Sequence, residues 1–333
     1  MKYTTITTLA ALLLGSAGAI AQTTAYTKPS GFVTHTLKAG KFNLIGLTLH
    51  SPIAISGAFE TVSGTTLTDT NVDFTSVLTT GNTYILEITE NTADPSLVGT
   101  IQEITSWTAT TLTTPDDLGS DGLAGETTSG ANNGAKYQLR KAPTLEEVFG
   151  TTNSVLQKGV ISTLADILWI PNLSGGYDRY FLSNTNQWKN AATNAVAPNV
   201  PLVYTDALFI QRKGAEVNLV LTGSVKANNT VVALSTGFNP VSIVAPVGAT
   251  LQNSGLNASL QAGVISTLAD IVWVPNGSGE YDRYFYHTSN VWRNATTNAD
   301  VVGDVVLPHG IFIQRKGASK NATLTTPSGY SNL

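Results

Sequence analysis

Residues 156–181 recur at 260–285 with 21 of 26 positions identical at a constant offset of 104, far beyond chance. A chain built largely from one unit used twice is confined to architectures in which two like bodies stand in series. Such a chain suits a scaffold or a binding surface better than a single catalytic centre. The likeness extends past this block, because Phe42, Asn43 and Ile45 are echoed by Phe238, Asn239 and Val241. Each unit opens on a Phe-Asn strand and passes a Thr-Leu turn (Thr144-Leu145, Thr250-Leu251) and an Ala-Asp-Ile strand. A Tyr-Asp-Arg-Tyr-Phe strand and a Trp turn follow, and the unit ends in Phe-Ile-Gln-Arg-Lys-Gly.

About ninety residues separate the opening strand of the first unit from the rest, and the second unit lacks them. The expected division is a signal peptide over 1–21, a first β module from 22–52 plus 141–226, an inserted small β-sheet or barrel domain over 53–140, and a second β module over 227–333. Within the insertion, strands are expected at 59–62, 65–68, 83–89, 98–104 and 136–139. Tyr84, Leu86 and Ile88 alternate with Ile85 and Glu87, the period of a half-buried strand. Residues 115–134 have neither periodicity nor bulk and form a long surface loop. Helical signal is confined to Thr144-Leu145-Glu146-Glu147, which has the form of a capping box, with Gly150 as a stop. Elsewhere short β-branched and aromatic runs are bounded by Gly, Pro and Asn. The fold class is all-β: two tandem antiparallel modules, each a sandwich or a partly open barrel.

Lys2 precedes an apolar run from Ile6 to Leu14 and small residues up to Ala21, the form of a signal peptide cleaved before Gln22. No later segment has the roughly 20 apolar residues of a membrane-spanning helix. The chain has no Cys, and charged residues make up 12%, about half the ordinary share. Sheets and apolar packing therefore carry its stability, and disulfide chemistry is excluded. A net charge of -4 offers no basic stripe for nucleic acid.

In Phe42-Asn43-Leu44-Ile45-Gly46, Asp270-Ile271-Val272-Trp273, Tyr281-Asp282-Arg283-Tyr284 and Phe312-Ile313-Gln314-Arg315-Lys316-Gly317, the chain resembles a family of exported paralogous proteins of verrucomicrobial bacteria. More loosely it is similar to a β module repeated in bacterial secreted surface proteins. The resemblance implies export and β architecture, and it brings no assigned activity or catalytic residue.

Asp166, Asp178, Arg179 and Arg212 reappear as Asp270, Asp282, Arg283 and Arg315. A carboxylate pair is the equipment of glycoside cleavage. Retention of the same set in both units instead favours a structural framework of charge-assisted hydrogen bonds. Trp169 and Trp273 sit in continuous apolar runs and are expected in the core. Trp188 and Trp292, which follow Asn-rich turns, are expected at the surface, where with Tyr286 they are candidates for stacking on sugar rings. His35, His50, His287 and His309 match no zinc spacing and are expected as surface residues. Asp116, Asp117, Asp121 and Glu126 in the Gly-rich loop, and Asp69, Asn71 and Asp73, are hard-oxygen groups of the kind calcium uses, without EF-hand spacing. No other cofactor is implied.

The expected function is that of an exported, non-enzymatic structural protein of the cell surface or matrix that associates with itself. The alternative is a carbohydrate-binding surface protein, with extracellular polysaccharide as partner. A hydrolase working through Asp178 or Asp282 is the third and weakest reading.

Overall fold

The computed structural model describes residues 30–125, 134–172 and 174–332. The expected signal peptide and Glu126 lie outside them. The described chain is predominantly β, with antiparallel strand pairing throughout its sheets, and no sheet closes into a barrel.

Two five-stranded sheets dominate. One runs in the order Trp188–Asn190, Tyr177–Leu182, Ile167–Pro171, Leu208–Gln211, Phe42–Ile45; the other runs Val291–Asn294, Tyr281–His287, Ile271–Pro275, Gly310–Arg315, Gly237–Ser242. The order matches strand for strand, and so does the register: Trp169 lies opposite Arg179 and Phe209, and Trp273 opposite Arg283 and Phe312. The turns match as well. Asn186 and Asn194 adopt left-handed backbone conformations, as do Asn290 and Asn298, a conformation that Asn tolerates better than other non-glycine residues. Each large sheet is accompanied by a two-stranded ribbon, Ser30–Leu37 with Val217–Ser224 in one case and Thr230–Leu234 with Lys320–Leu324 in the other.

The two halves share one core, in which Leu37, Ile45, Leu168 and Ile210 from one side pack in the same cluster as Val241, Val272, Ile311 and Ile313 from the other. Each such side chain contributes roughly 1.5–3 kcal/mol by leaving water. Like segments meet like across the junction. The Phe209 and Phe312 rings, equivalent in the repeat, touch at 5.4 Å. The Ser242 hydroxyl donates to Asp206 O at 3.1 Å, while its counterpart Gly46 lies against His309 O, the counterpart of Asp206. A Cβ at Gly46 would stand 1.6 Å from that oxygen, so only glycine fits. Contact of i with j repeated as j with i is the signature of two-fold symmetry. The halves are thus related by a pseudo-dyad through the Phe209–Phe312 contact.

Residues 53–140 form two four-stranded sheets. One orders Ile53–Ala58, Lys136–Lys141, Tyr84–Glu90, Ile101–Glu103; the other orders Thr61–Ser63, Thr66–Thr68, Thr111–Thr113, Ser106–Trp107. The strands at Ile53–Ala58, Ser106–Trp107 and Thr111–Thr113 are not expected from the sequence, the last two because they are too short to show a hydrophobic period. Phe59, placed in a strand by sequence, sits at a buried corner stacked on Tyr137 at 4.2 Å. The strand Tyr84–Glu90 is not half-buried as its alternation suggests. Leu86 and Ile88 enter the insertion's own core, Ile85 enters the shared core, and Glu87 is fully buried between them. The helix Leu145–Phe149 has the expected capping box: Thr144 Oγ1 accepts from Glu147 N at 3.3 Å and the Glu147 carboxylate from Thr144 N at 2.9 Å. Two further short helices, Phe74–Val77 and Leu256–Ser259, were not signalled.

Candidate functional site

The repeated charges separate into two structural devices in each half. Asp166 is fully buried, accepts N–H groups from Gln157 (2.8 Å) and Lys213 (2.6 Å), and pairs with Arg212. Arg212 Nε donates to Ala215 O at 2.8 Å. Asp270 repeats this with Gln261 and Lys316 at 2.7 Å each and Arg315 at 2.5 Å. The clasp ties the segment 157–165, or 261–269, to the far end of the sheet. Asp178 and Asp282 do not join it. They accept from Asn172 (3.0 Å) and Asn276 (3.2 Å) and brace the turn before their strands. Arg179 and Arg283 lie 5.1 and 5.2 Å over the rings of Trp169 and Trp273, a cation–π contact rather than an ion pair.

The tryptophans expected at the surface are buried. Trp188 and Trp292 are only 1% and 6% exposed. Their strands turn the rings inward, where the Trp188 indole N–H donates to Gly150 O at 3.1 Å and Trp292 packs on the half-buried Tyr286 ring at 5.2 Å. Trp188 and Trp292 therefore offer no ring face to a sugar. Trp169 and Trp273 lie on the other face of their strands, half-buried and with their indole nitrogens enclosed, because Leu168 and Val272 take the inward positions. They belong to an aromatic ribbon running across both sheets: Trp169, Phe42, Phe209 and Tyr177, then through Phe312 to Phe238, Trp273 and Tyr281. Most of these contacts are edge-to-face at 5.4–6.4 Å. Arg179 and Phe42 cover Trp169, so the ring is committed to its neighbours rather than held as an open platform.

The most informative surface lies in the best-preserved block. Val160, Ile161 and Leu164 are 61%, 50% and 55% exposed, and their counterparts Val264, Ile265 and Leu268 are 54%, 47% and 55% exposed. Both copies carry the same three apolar side chains at positions about half open to solvent. Sequence reasoning missed this patch because a run of Val, Ile and Leu beside a strand reads as core.

A second unusual place is a buried charge cluster where the insertion meets the rest. Glu87 pairs with Lys226 at 2.8 Å, both fully buried, and lies 3.8 Å from Arg140. Asn228 Nδ2 donates to the same carboxylate at 2.5 Å, and Lys226 donates to the Asn228 and Asn229 carbonyls. His50 packs on Tyr204 at 4.2 Å beside this cluster, and neither of its ring nitrogens has a hydrogen-bond partner. Burial, then the Arg140 and Lys226 charges, holds the His50 imidazole well below its ordinary range and therefore neutral. His35, expected at the surface, is buried too, with its ring 5.0 Å from that of His309. Burial and then His309 bring His35 down to about 3.

The proposed calcium ligands have other duties. Asp69 accepts from Tyr137 Oη at 2.8 Å, Asp73 caps the helix Phe74–Val77, Asp116 accepts from Gln102 at 2.7 Å and Asp117 from Ser120 at 2.8 Å. Among the described residues no three His, Cys, Asp or Glu side chains gather as a metal site. No helix among them is long and apolar enough to cross a membrane. No protein-family model matches the chain, and neither the curated proteins nor the solved structures contain a significant match.

Proposed function

We propose that this chain is an exported structural protein of the cell surface or extracellular matrix that builds assemblies through two like apolar patches. The observation that carries the reading is the exposure of Val160, Ile161 and Leu164 together with their counterparts Val264, Ile265 and Leu268. A half-exposed aliphatic side chain gains about 1 kcal/mol on full burial. Six of them in a patch-to-patch contact give about 6 kcal/mol before the cost of association, enough for a weak contact that becomes effective when many molecules are linked.

The pseudo-dyad gives the reading its geometry. Contacts near Phe209 and Phe312 are satisfied within one molecule and are not free to join successive chains. The two patches remain, one on each half. A subunit with two self-complementary patches is bivalent, and bivalent subunits extend into chains unless their contacts close a ring. The inward Trp188 and Trp292, and the covered faces of Trp169, weigh against sugar stacking as the main activity.

Sedimentation velocity over a wide concentration range, with electron microscopy, tests this on the chain from Gln22. Wild type is expected to form chains, Leu164→Asp to stop at dimers, and the Leu164→Asp, Leu268→Asp double variant to be monomeric. A wild-type protein that stays monomeric up to about 1 mM, or a single variant that still polymerises, sinks the proposal.

A further inference from the structure

One half leaves a strand edge open that the other half closes. The strand Val217–Ser224 pairs on one side with Ser30–Leu37. On its other side Ser224 exchanges backbone hydrogen bonds with His50, at 2.8 and 3.0 Å. Backbone groups in a strand alternate in direction, so Thr222 and Val220 face the same way as Ser224. Among the described residues no strand pairs with that side beyond the single bridge to His50. A groove of about 410 Å³ runs there, with Leu47, Leu49, His50, Val148, Val220 and Thr222 in its walls.

The corresponding edge in the other half belongs to Lys320–Leu324. Leu37 opposite Val217 corresponds to Leu234 opposite Lys320, which makes Thr323 and Thr325 the counterparts of Val220 and Thr222. There the chain covers its own edge. Ser259 Oγ accepts the Thr323 N–H at 3.0 Å, Ser254 O accepts the Thr325 N–H at 2.8 Å, and Leu256 between them is fully buried. In the first half the helix Leu145–Phe149 stands in the corresponding stretch, and its Glu147 and Val148 line the groove instead of closing it.

We propose that this groove is a docking site for an uncharged peptide segment of a partner chain, rich in hydroxyl and aliphatic side chains, which pairs with the free edge at Val220 and Thr222. The covering segment of the other half supplies the template for such an occupant: a carbonyl, a hydroxyl and a buried leucine. Open edges recruit strands by main-chain pairing, and neighbouring pockets set the choice of side chain. The groove offers no net charge to a charged ligand, because Lys141 and Glu147 at its rim pair with each other at 2.5 Å. Phe32, opposite Thr222 in register, and Val220 are exposed apolar side chains on the adjoining face.

A synthetic peptide with the sequence of Asn253–Gln261 serves as the probe, titrated into the whole chain while amide exchange is followed. In the free protein the Val220 and Thr222 amides should exchange much faster than those of Thr323 and Thr325, and peptide should slow them. Thr222→Pro deletes the outward N–H at a position that makes no pairing bond to Ser30–Leu37, a place where an edge strand accepts proline. It should bind peptide at least tenfold more weakly with an unchanged circular dichroism spectrum. The Leu164→Asp, Leu268→Asp variant should bind as wild type does, which separates this groove from the apolar patches. Absence of saturable binding up to about 1 mM, equal affinity in Thr222→Pro, or Val220 and Thr222 amides as protected as their counterparts would overturn the proposal. A dimer that forms without peptide and is abolished by Thr222→Pro would assign the groove to a second copy, and would also overturn it.

Discussion

At the scale of single residues, the junction between the halves holds a carboxyl group that reaches the surface yet is crowded by the surrounding protein. Burial pushes Asp206 up to about 6 from an ordinary value of 3.8. Its folded pKa lies above its unfolded one, so the native state holds the extra proton between these values, and stability falls as pH rises through that window. Asp206→Asn should therefore be more stable than wild type at pH 7, with the gain vanishing below about pH 4. His35 acts with the opposite sign. Its folded pKa of about 3 lies below the ordinary 6.5, so its stabilising share is complete above pH 6.5 and is lost as pH falls toward 3. Thermal melts of both proteins from pH 4 to pH 8 check the signs; a wild type less stable than Asp206→Asn at pH 4 as well as at pH 7 would remove the titration argument.

At the scale of elements, the Asp166–Arg212 clasp decides whether the patch-bearing segment is held in place. That segment has only one short 3-10 turn, Ser162–Leu164, and an isolated bridge from Gly159 to Ser183. Asp166→Ala leaves the Arg212 guanidinium buried beside an empty site, which costs about 3–5 kcal/mol. The expected outcome is faster amide exchange across residues 157–166 with the counterpart at 261–270 unchanged, and weaker assembly through the first patch alone. If exchange instead rises equally in both segments, the two clasps do not act separately. The strand edges show the same principle from the other side. Equivalent strands differ in exposure because the short helix after Thr144, Leu145–Phe149, stands beside its strand edge, whereas the short helix after Thr250, Leu256–Ser259, covers its own through Ser254 and Ser259.

At the scale of the molecule, Glu87 joins three parts of the chain: its own strand in the insertion, Arg140 at the insertion's exit, and Lys226 with Asn228 between the halves. Lys226 is held below its ordinary pKa by burial and pushed back up by Glu87. Glu87→Ala leaves Lys226 and Arg140 buried without their anion, and chemical denaturation should register a loss of about 3–5 kcal/mol. Glu87→Ala combined with Lys226→Met should recover most of that loss, since a buried ion pair and an apolar replacement are often close in stability. No recovery would mean that the cluster is held by its hydrogen bonds to Asn228 and Asn229 rather than by charge.

Local and repeated features were legible before any coordinates. The doubling, the β class and the helix after Thr144 follow from identity at fixed spacing, from β-branched runs between turn residues, and from a cap whose partners stand three positions apart. Facing and burial were not legible. Strand alternation places Leu168 and Trp169 on opposite sides but does not say which side another layer will cover, so Trp188 is buried where exposure is expected and Trp169 is only half-buried. Glu87, Lys226 and His50 come together from distant positions, and the open edge at Thr222 depends on where a short helix is set down beside the strand. Short-range chemistry is written along the chain. Which surfaces meet depends on the packing of segments far apart in it.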